Sequence, residues 1–224
     1  MNLSNVTRNT LAKQVSNEIV KLIEKGDVKP GEKLLTELEL MEILGVSRPV
    51  IREALSSLEA LEIINKSPRG GTFVNKRVGS SPFKTMLSIN SLNHEALFEA
   101  RMVLELGFVT VAANKISQVD LDKLALTIKN IEESIEDSYG EQDKEFHRII
   151  ALSVDNPILE GMIESLLAAH EEIDNLIKTR DREITVKHHI KIFEALCARD
   201  PVQAYLAMWE HLNFVKNKVL KTKQ

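Results

Sequence analysis

The sequence predicts a mainly α-helical chain in two parts: a helical segment that ends in a small β-hairpin, and an all-α antiparallel bundle of six or seven helices. Apolar residues recur at helical spacing through most of the 224 residues. Two short β-prone runs flank a turn at residues 67–71, and a polar stretch rich in helix breakers follows them. The expected domains are residues 1–75 and 84–224, with a linker at 76–83.

The first part begins with a helix from Leu11 to Lys25, which Gly26 ends. The run Thr36-Glu-Leu-Glu39 fits a capping box, in which the threonine hydroxyl and the second glutamate satisfy backbone N–H groups of the first turn. A short second helix should therefore start there and end at a turn on Gly45. Helix, glycine turn and capped helix together are typical of a helix-turn-helix.

The third helix starts at Ser47, whose hydroxyl is expected to cap it, and Pro49 falls in the first turn, where a missing N–H costs little. Arg48 and Arg52 are four apart and project together from its beginning, where guanidinium groups suit base edges and phosphates. A pair of arginines is also common on an ordinary solvated face. The predicted inward residues are Val50, Ala54, Leu55 and Leu58.

A hairpin follows the third helix. Its strands are predicted at Glu62–Lys66 and Thr72–Asn75, and Ser67-Pro-Arg-Gly-Gly71 supplies the turn, with an arginine at its tip. A hairpin after a recognition helix is a wing, so residues 1–75 are predicted to form a winged helix-turn-helix domain that binds DNA.

These residues resemble the DNA-binding domain of GntR-type bacterial transcription regulators over about residues 8–76. The matching runs include Gly26-Asp-Val-Lys-Pro-Gly-Glu-Lys-Leu34, Gly45-Val-Ser-Arg48, Val50-x-Arg-Glu-Ala-Leu55 and Gly70-Gly-Thr-Phe-Val74. The resemblance implies that the wing tip enters the minor groove. The DNA contacts that it implies are Thr36, Ser47, Arg48, Pro49, Arg52, Arg69, Gly70 and Gly71. Leu35 and Leu38 depart from the family, which usually has proline and a DNA-contacting arginine there.

Charge and composition agree with a chain of two unlike halves. Residues 1–78 hold 12 Lys and Arg against 10 Asp and Glu, whereas residues 79–224 hold 17 against 23. No apolar run is long enough to span a membrane, and the polar start is unlike a signal peptide. We expect a cytoplasmic protein that joins the nucleoid when bound to its operator. The lone Cys197 is expected to be a buried packing thiol.

The second part reads as helical throughout, with no strand signal. The predicted helices are Leu97–Asn114, Asp120–Glu136, Gly140–Ser153, Ile158–Lys178, Glu183–Ala198 and Pro201–Lys221.

Histidines carry the chemistry of this bundle. Asp143 and His147 are four apart and share one helix face, which occurs more often as a surface contact than as a metal site. His189 lies ten residues before the turn that starts at Arg199, and His211 lies ten after its Pro201. An antiparallel hairpin would bring both imidazoles to the same height, where they can bind a metal.

The same segment is similar to the FCD effector domain of the FadR subfamily over about residues 95–215. The likeness implies that Asp143, His147, His189 and His211 bind a divalent metal, commonly zinc, with nickel or manganese as other options. It also implies that a small organic acid binds at the metal and that Arg101 clamps its carboxylate. An ion pair between Arg101 and Glu105, or a subunit contact, is the competing interpretation.

The remaining candidates receive ordinary interpretations. His188 should point away from the ligand face, His170 sits in an acidic run, and His94 lies near a helix start. Phe146 and Trp209 are expected to be core residues.

The sequence therefore predicts a homodimeric regulator, a repressor, that binds an inverted-repeat operator and responds to an organic acid at its metal site. A hydrolytic enzyme is disfavoured, because Glu145 should point off the metal face and no other base is placed beside the ligands. A structural metal with a bulkier effector, such as an acyl-CoA, is a further alternative.

Overall fold

The computed structural model describes residues 10–68, 70–76, 79–89, 92–135, 139–174, 177 and 180–221. The chain divides into two compact units, Met1–Pro82 and Phe83–Gln224. Arg77 and Val78 of the predicted linker lie outside the described residues. Helix α4, Ser81–Ile89, already begins within the stretch that the sequence assigned to the linker.

The first unit contains three helices and a two-stranded sheet, as predicted. The helices are α1 Leu11–Glu24, α2 Glu37–Leu44 and α3 Arg48–Ala60, and the strands are β1 Ile64–Ser67 and β2 Gly71–Val74. The capping box at Thr36 and Glu39 is present, and Gly45 ends α2 with a left-handed φ of 64°. A left-handed residue at this place turns the chain sharply into α3.

Helix α3 differs from the prediction in two details. Ser47 is its N-cap residue and has an extended backbone, but its side chain makes no capping hydrogen bond, so that prediction was wrong. Ile51 has no solvent exposure, although the predicted inward set omitted it. The buried core of the first unit comprises Ala12, Val15, Ile19, Leu34, Leu40, Ile51, Ala54, Leu55, Leu58 and Ile64.

The hairpin is antiparallel, with Ile64 opposite Val74 and Ser67 opposite Gly71. A third extended segment, which the sequence did not predict, pairs with the outer edge of β2. Gly31 N donates to Val74 O at 2.8 Å, and Leu34 N donates to Thr72 O at 2.8 Å. Strand β2 of the wing is therefore hydrogen-bonded along both edges, by β1 on one side and by this segment on the other.

The second unit is helical throughout its described residues, and with α4 it has seven helices. The other six are α5 His94–Lys115, α6 Gln118–Glu132, α7 Gly140–Leu152, α8 Pro157–Asp174, α9 Arg182–Cys197 and α10 Pro201–Lys221. Glu136 and Lys178, the predicted ends of two helices, lie outside the described residues. The predicted fold class is confirmed.

Helix α10 packs along α5 and α9, while α6 packs against α7 and α9 and α7 packs against α8. Their apolar faces enclose one large core, which includes Phe146 as predicted. Two predictions about single residues were wrong. Cys197 is exposed at the end of α9, and Trp209 is 45% exposed on α10. On each helix the preceding residue, Leu196 or Met208, is buried instead.

Candidate DNA interface and metal centre

The predicted DNA-contacting residues of the two helices lie on an exposed face of the first unit. Thr36, Ser47, Arg48, Pro49 and Arg52 are all exposed. Arg48 is held from α2, because its Nε lies 3.0 Å from Glu37 Oε2. Arg52, one turn further along α3, forms no ion pair with any described carboxylate. One guanidinium is thus anchored at the start of α3 and the next is available.

In the described part of the wing tip, Gly70 and Gly71 offer backbone atoms. Gly71 is exposed and has a φ of 99°, a conformation that side chains rarely tolerate. Gly70 is half-buried beside it, and Arg69 lies outside the described residues. A tip made of glycine can approach another molecule closely.

In the second unit, three helices bring the four predicted metal ligands together. Asp143 and His147 come from α7, His189 from α9 and His211 from α10, and one ligand atom of each lies within 4.8 Å of the others. All four residues are buried. His147 Nε2 lies 3.1 Å from His211 Nε2, and His189 Nε2 lies 3.2 Å from Asp143 Oδ1. The hairpin of α9 and α10 does place its two histidines at one height.

These residues fit a divalent metal on two observations. Atoms that share an ion at about 2.0–2.1 Å lie roughly 3.0–3.4 Å from one another, which matches both measured separations. Nε2 of His189, which faces Asp143 and the other candidate ligands, is buried without a well-aligned hydrogen bond to any described residue. Buried polar atoms of this kind are costly unless a further partner satisfies them.

The protonation states are those of metal ligands. Burial lowers the pKa of His189 despite the nearby Asp143, and burial together with His189 and His147 places the pKa of His211 well below its ordinary value. The imidazoles of His189 and His211 are therefore neutral at pH 7 and keep a lone pair for binding. Burial alone would raise the pKa of Asp143, but the facing imidazoles hold it well below its usual range.

A second buried layer adjoins the ligands, and the sequence identified only part of it. Arg101 Nε donates to Glu105 Oε1, and the other oxygen of that carboxylate contacts His147 Nδ1. Burial opposes ionisation of Glu105, but Arg101 and His147 outweigh it and lower the pKa of the carboxyl. Glu105 thereby fixes His147 with Nε2 directed at the cluster. The ion pair between Arg101 and Glu105, which the sequence offered as the alternative to a carboxylate clamp, is present.

His170 is the residue that sequence reasoning missed. It is 1% exposed, accepts a hydrogen bond from Arg101 across 2.7 Å, and lies 3.8 Å from Asp143 Oδ2. Its assignment to an ordinary acidic run was wrong, because Glu171 and Glu172 face outward while His170 faces the core. A helical projection of α8 carries this signal, since His170 is seven residues after Ile163 and three before Ile173, which are both buried.

The interpretations of His94 and Glu145 agree with their positions, whereas His188 is buried with its ring edge-on to that of His211, the centroids being 5.8 Å apart. His94 begins α5, and Glu145 pairs with Arg148 at 3.3 Å on the outer side of α7. His188 packs edge-on against Phe214 and lies 3.6 Å from Glu210. Phe146 has an additional role, because its ring stacks on that of His189 with centroids 3.9 Å apart.

A small cavity of about 30 Å³ reaches Asp143 and His211 from one side. Tyr139, Arg180 and Lys218 line it further out. The space holds about one water molecule, so only a small ligand group fits without movement of side chains. None of the described helices combines the length and the apolar character needed to cross a bilayer.

Comparison with known proteins gives matches over both units. Residues 11–74 match the model of the bacterial regulatory proteins of the gntR family, and residues 96–214 match that of the FCD domain. The HTH-type transcriptional regulator YcbG of Bacillus subtilis is 53% identical, covering 99% of this chain and 95% of that protein. The HTH-type transcriptional repressor NanR of Cronobacter sakazakii is 28% identical, covering 94% and 85%. A solved structure, GntR of Streptococcus agalactiae, shares the fold with a TM-score of 0.68 at 24% identity, covering 92% of this chain and 99% of that one.

Proposed function

Because the chain belongs to the gntR family of bacterial regulatory proteins and carries an FCD domain, we propose that it is a repressor controlled by a small organic acid. As a member of this family it is a DNA-binding transcription regulator. The acid would bind at a divalent metal in the FCD domain. The observation that carries the proposal is the cluster of four buried ligand atoms on three helices.

The DNA-binding half of the proposal uses residues 1–75. Two subunits would place two α3 helices in the major grooves of an inverted repeat, with Arg48 and Arg52 reading bases or phosphates. The wing tip at Arg69, Gly70 and Gly71 would enter the minor groove. The ion pair of Arg48 with Glu37 supports this role, since it orders the side chain before DNA arrives.

The metal half uses Asp143, His147, His189 and His211 as ligands, with zinc as the first choice and nickel or manganese as alternatives. A bound ion would supply an electrophilic position for a carboxylate oxygen. Three imidazoles and one carboxylate leave room for such an oxygen in five- or six-fold coordination. Glu105 orients His147, and Phe146 packs flat against His189, so two of the three imidazoles are held from behind.

Arg101 is proposed to clamp the acid, and its surroundings support that role. Glu105 binds its Nε and His170 accepts from a terminal nitrogen, so the guanidinium is fixed while His170 separates it from Asp143. A fixed planar guanidinium is suited to a carboxylate. In this proposal Arg101 has both roles, because its ion pair with Glu105 holds the guanidinium in place to bind the carboxylate of the acid.

The buried charges favour an acid with one negative charge. Arg101 carries one positive charge, Glu105 and Asp143 carry two negative charges, and imidazoles that bind a metal are neutral. A divalent ion would turn this net charge from minus one to plus one. A monocarboxylate would then neutralise the site, whereas buried unbalanced charge is costly.

Repression is the proposed direction of control, since the relative NanR is named a repressor. The acid would shift a population of dimer geometries that differ in affinity for the operator. A second candidate keeps the metal structural and uses a bulkier, apolar effector. An apolar cavity of about 470 Å³ supports it, lined by residues that include Phe83, Met86, Val103, Leu104 and Met162.

The test is thermal unfolding of zinc-loaded protein against a panel of small mono- and dicarboxylates and an acyl-CoA, repeated after chelation. We expect one monocarboxylate to raise the melting temperature by several degrees, and the rise to vanish after chelation and in Arg101→Ala. The same acid should release a duplex that the wild-type protein selects from a random-sequence library. Stabilisation by acyl-CoA alone, unaffected by chelation, would replace the first candidate with the second.

A further inference from the structure

The strand that braces the wing carries a lysine that no part of the proposed interface includes. Lys33 lies in the segment that pairs with β2, directly opposite Phe73 in a bridge. Backbone hydrogen bonds flank it on both sides: Val74 N donates to Glu32 O at 2.9 Å, and Leu34 N donates to Thr72 O at 2.8 Å. The backbone of Lys33 is therefore held at a fixed register beside the wing.

The side chain of Lys33 lies against the wing tip. A Cβ atom added to Gly71 would come within 2.6 Å of Lys33 Cε and 3.3 Å of its Nζ. A Cβ atom on Gly70 would come within 3.2 Å of the Phe73 ring. The two glycines thus leave space that the lysine stem and the aromatic ring fill. The aliphatic part of a lysine can pack in this way while its ammonium group stays in water.

The ammonium group of Lys33 is not held in a direct ion pair, although the Glu39 carboxylate is close enough to interact with it electrostatically. Lys33 is exposed, and among the described residues no carboxylate lies within ion-pair distance of it. The acidic residues nearby are engaged elsewhere: Glu32 accepts from the backbone of Lys29 at 2.8 Å, and Glu39 accepts from Thr36. Lys66 on β1, which lies on the other side of β2, is paired with Glu59 at 2.9 Å.

We propose that Lys33 is a further DNA-contacting residue, whose ammonium group binds a backbone phosphate beside the groove that the wing enters. The inference rests on the proposed placement of the wing on DNA. A phosphate is the expected partner because the lysine head is a compact charge without the fork that reads guanine. Its stem also supports the glycine tip, so one side chain orders the wing and attracts the DNA.

The experiment uses the full-length protein and a duplex that the wild-type protein selects from a random library, with a random-sequence duplex for comparison. Lys33→Met keeps the stem and removes the charge, and Lys33→Arg keeps the charge. Lys21→Met is the matched control, since Lys21 is an exposed lysine on α1 that pairs with Glu18. Dissociation constants are measured over a range of salt concentrations without added acid.

We expect Lys33→Met to lower the slope of log affinity against log salt by about 1.8 for a dimer, about 0.9 for each lost phosphate contact. This corresponds to roughly 30-fold weaker binding near 0.15 M salt, by extrapolation of that slope to 1 M. The loss should be equal on the selected and random duplexes, because a phosphate carries no sequence information. Lys33→Arg should restore most of the affinity, and Lys21→Met should bind like the wild type.

An unchanged slope in Lys33→Met would overturn the inference, and so would a loss confined to the selected duplex, which would indicate a base contact. Arg52→Ala distinguishes a wrong assignment of Lys33 from a wrong placement of the whole DNA interface. If Arg52→Ala weakens binding and Lys33→Met does not, Lys33 alone was misassigned. If neither variant weakens binding, the proposed interface itself is wrong. Circular dichroism of each variant establishes that it is folded.

Discussion

The buried pair of Arg101 and Glu105 allows the second layer of the metal centre to be tested by a double-mutant cycle. Both side chains are nearly inaccessible, with 1% and 3% exposure. Removing one partner leaves the other charge buried without compensation, which typically costs about 3–5 kcal/mol. Arg101→Met and Glu105→Gln should each destabilise the second unit by an amount in that range.

The double variant should be far less destabilised than the sum of the two single variants, because neither buried charge then remains. We expect a coupling energy of about 2–3 kcal/mol. For a unit of about 140 residues, 1 kcal/mol moves the melting temperature by roughly 3 °C. Each single variant should therefore melt about 9–15 °C lower than the wild type.

The assay is thermal and urea unfolding of chelated protein, so that metal affinity does not enter the result. Trp209 is the single tryptophan of the chain and lies in the second unit, so its fluorescence reports the unfolding of that unit. Glu99→Gln is the control, since Glu99 is exposed on the same helix and should change stability by less than about 0.5 kcal/mol. Strict additivity of the two single variants would refute the claim that the charges compensate each other.

Three further predictions concern stability. Burial lowers the pKa values of His170, His189 and His211 in the folded protein. Below about pH 6.5, the ordinary pKa of an exposed imidazole, the unfolded chain therefore binds more protons than the folded chain does. As the pH falls from about 6.5, the free energy of unfolding of the chelated protein should drop by up to about 1.4 kcal/mol per pH unit for each of these imidazoles. A urea midpoint that rises toward pH 5.5 would contradict this. Gly45→Ala has open space for its methyl group but a φ of 64°, so urea unfolding followed by circular dichroism, which also reports the first unit, should show a loss of about 1 kcal/mol; no change would mean that the turn relaxes. Ile51→Ala should cost the first unit about 3 kcal/mol in the same assay, because Ile51 is fully buried, whereas exposed Ile43 should tolerate alanine with little loss.

Local sequence signals were sufficient for most of the fold. The capping box at Thr36, the glycine turn at Gly45 and the wing turn each depend on residues within a few positions of one another, and each is present. The family assignment also agrees with the prediction, and the relatives described above are named transcriptional regulators. The strand that braces the wing was missed, because its partner lies about 40 residues away and a four-residue run beside Pro30 and Gly31 has no periodicity of its own.

The errors at single residues have a common origin. Cys197 and Trp209 are apolar side chains in apolar-periodic helices, and the sequence alone assigned them to the core. A helix in a bundle buries only one stripe, and the width of that stripe depends on how many neighbours the helix has. Helical spacing gives the direction of each side chain but not the neighbour that would cover it.

The same reasoning explains why the clustering of Asp143, His147, His189 and His211 was predictable and the contact of His170 with it was not. Asp143 and His147 are related by one helical turn, and His189 and His211 by a hairpin, so both relations can be read from residue numbers. His170 joins the site through Arg101, which lies 69 positions earlier on a helix that is not its neighbour in the sequence. The first relation is set by backbone geometry, whereas the second exists only once the bundle has packed. Residues that complete a site through another side chain are therefore the ones that require a structure.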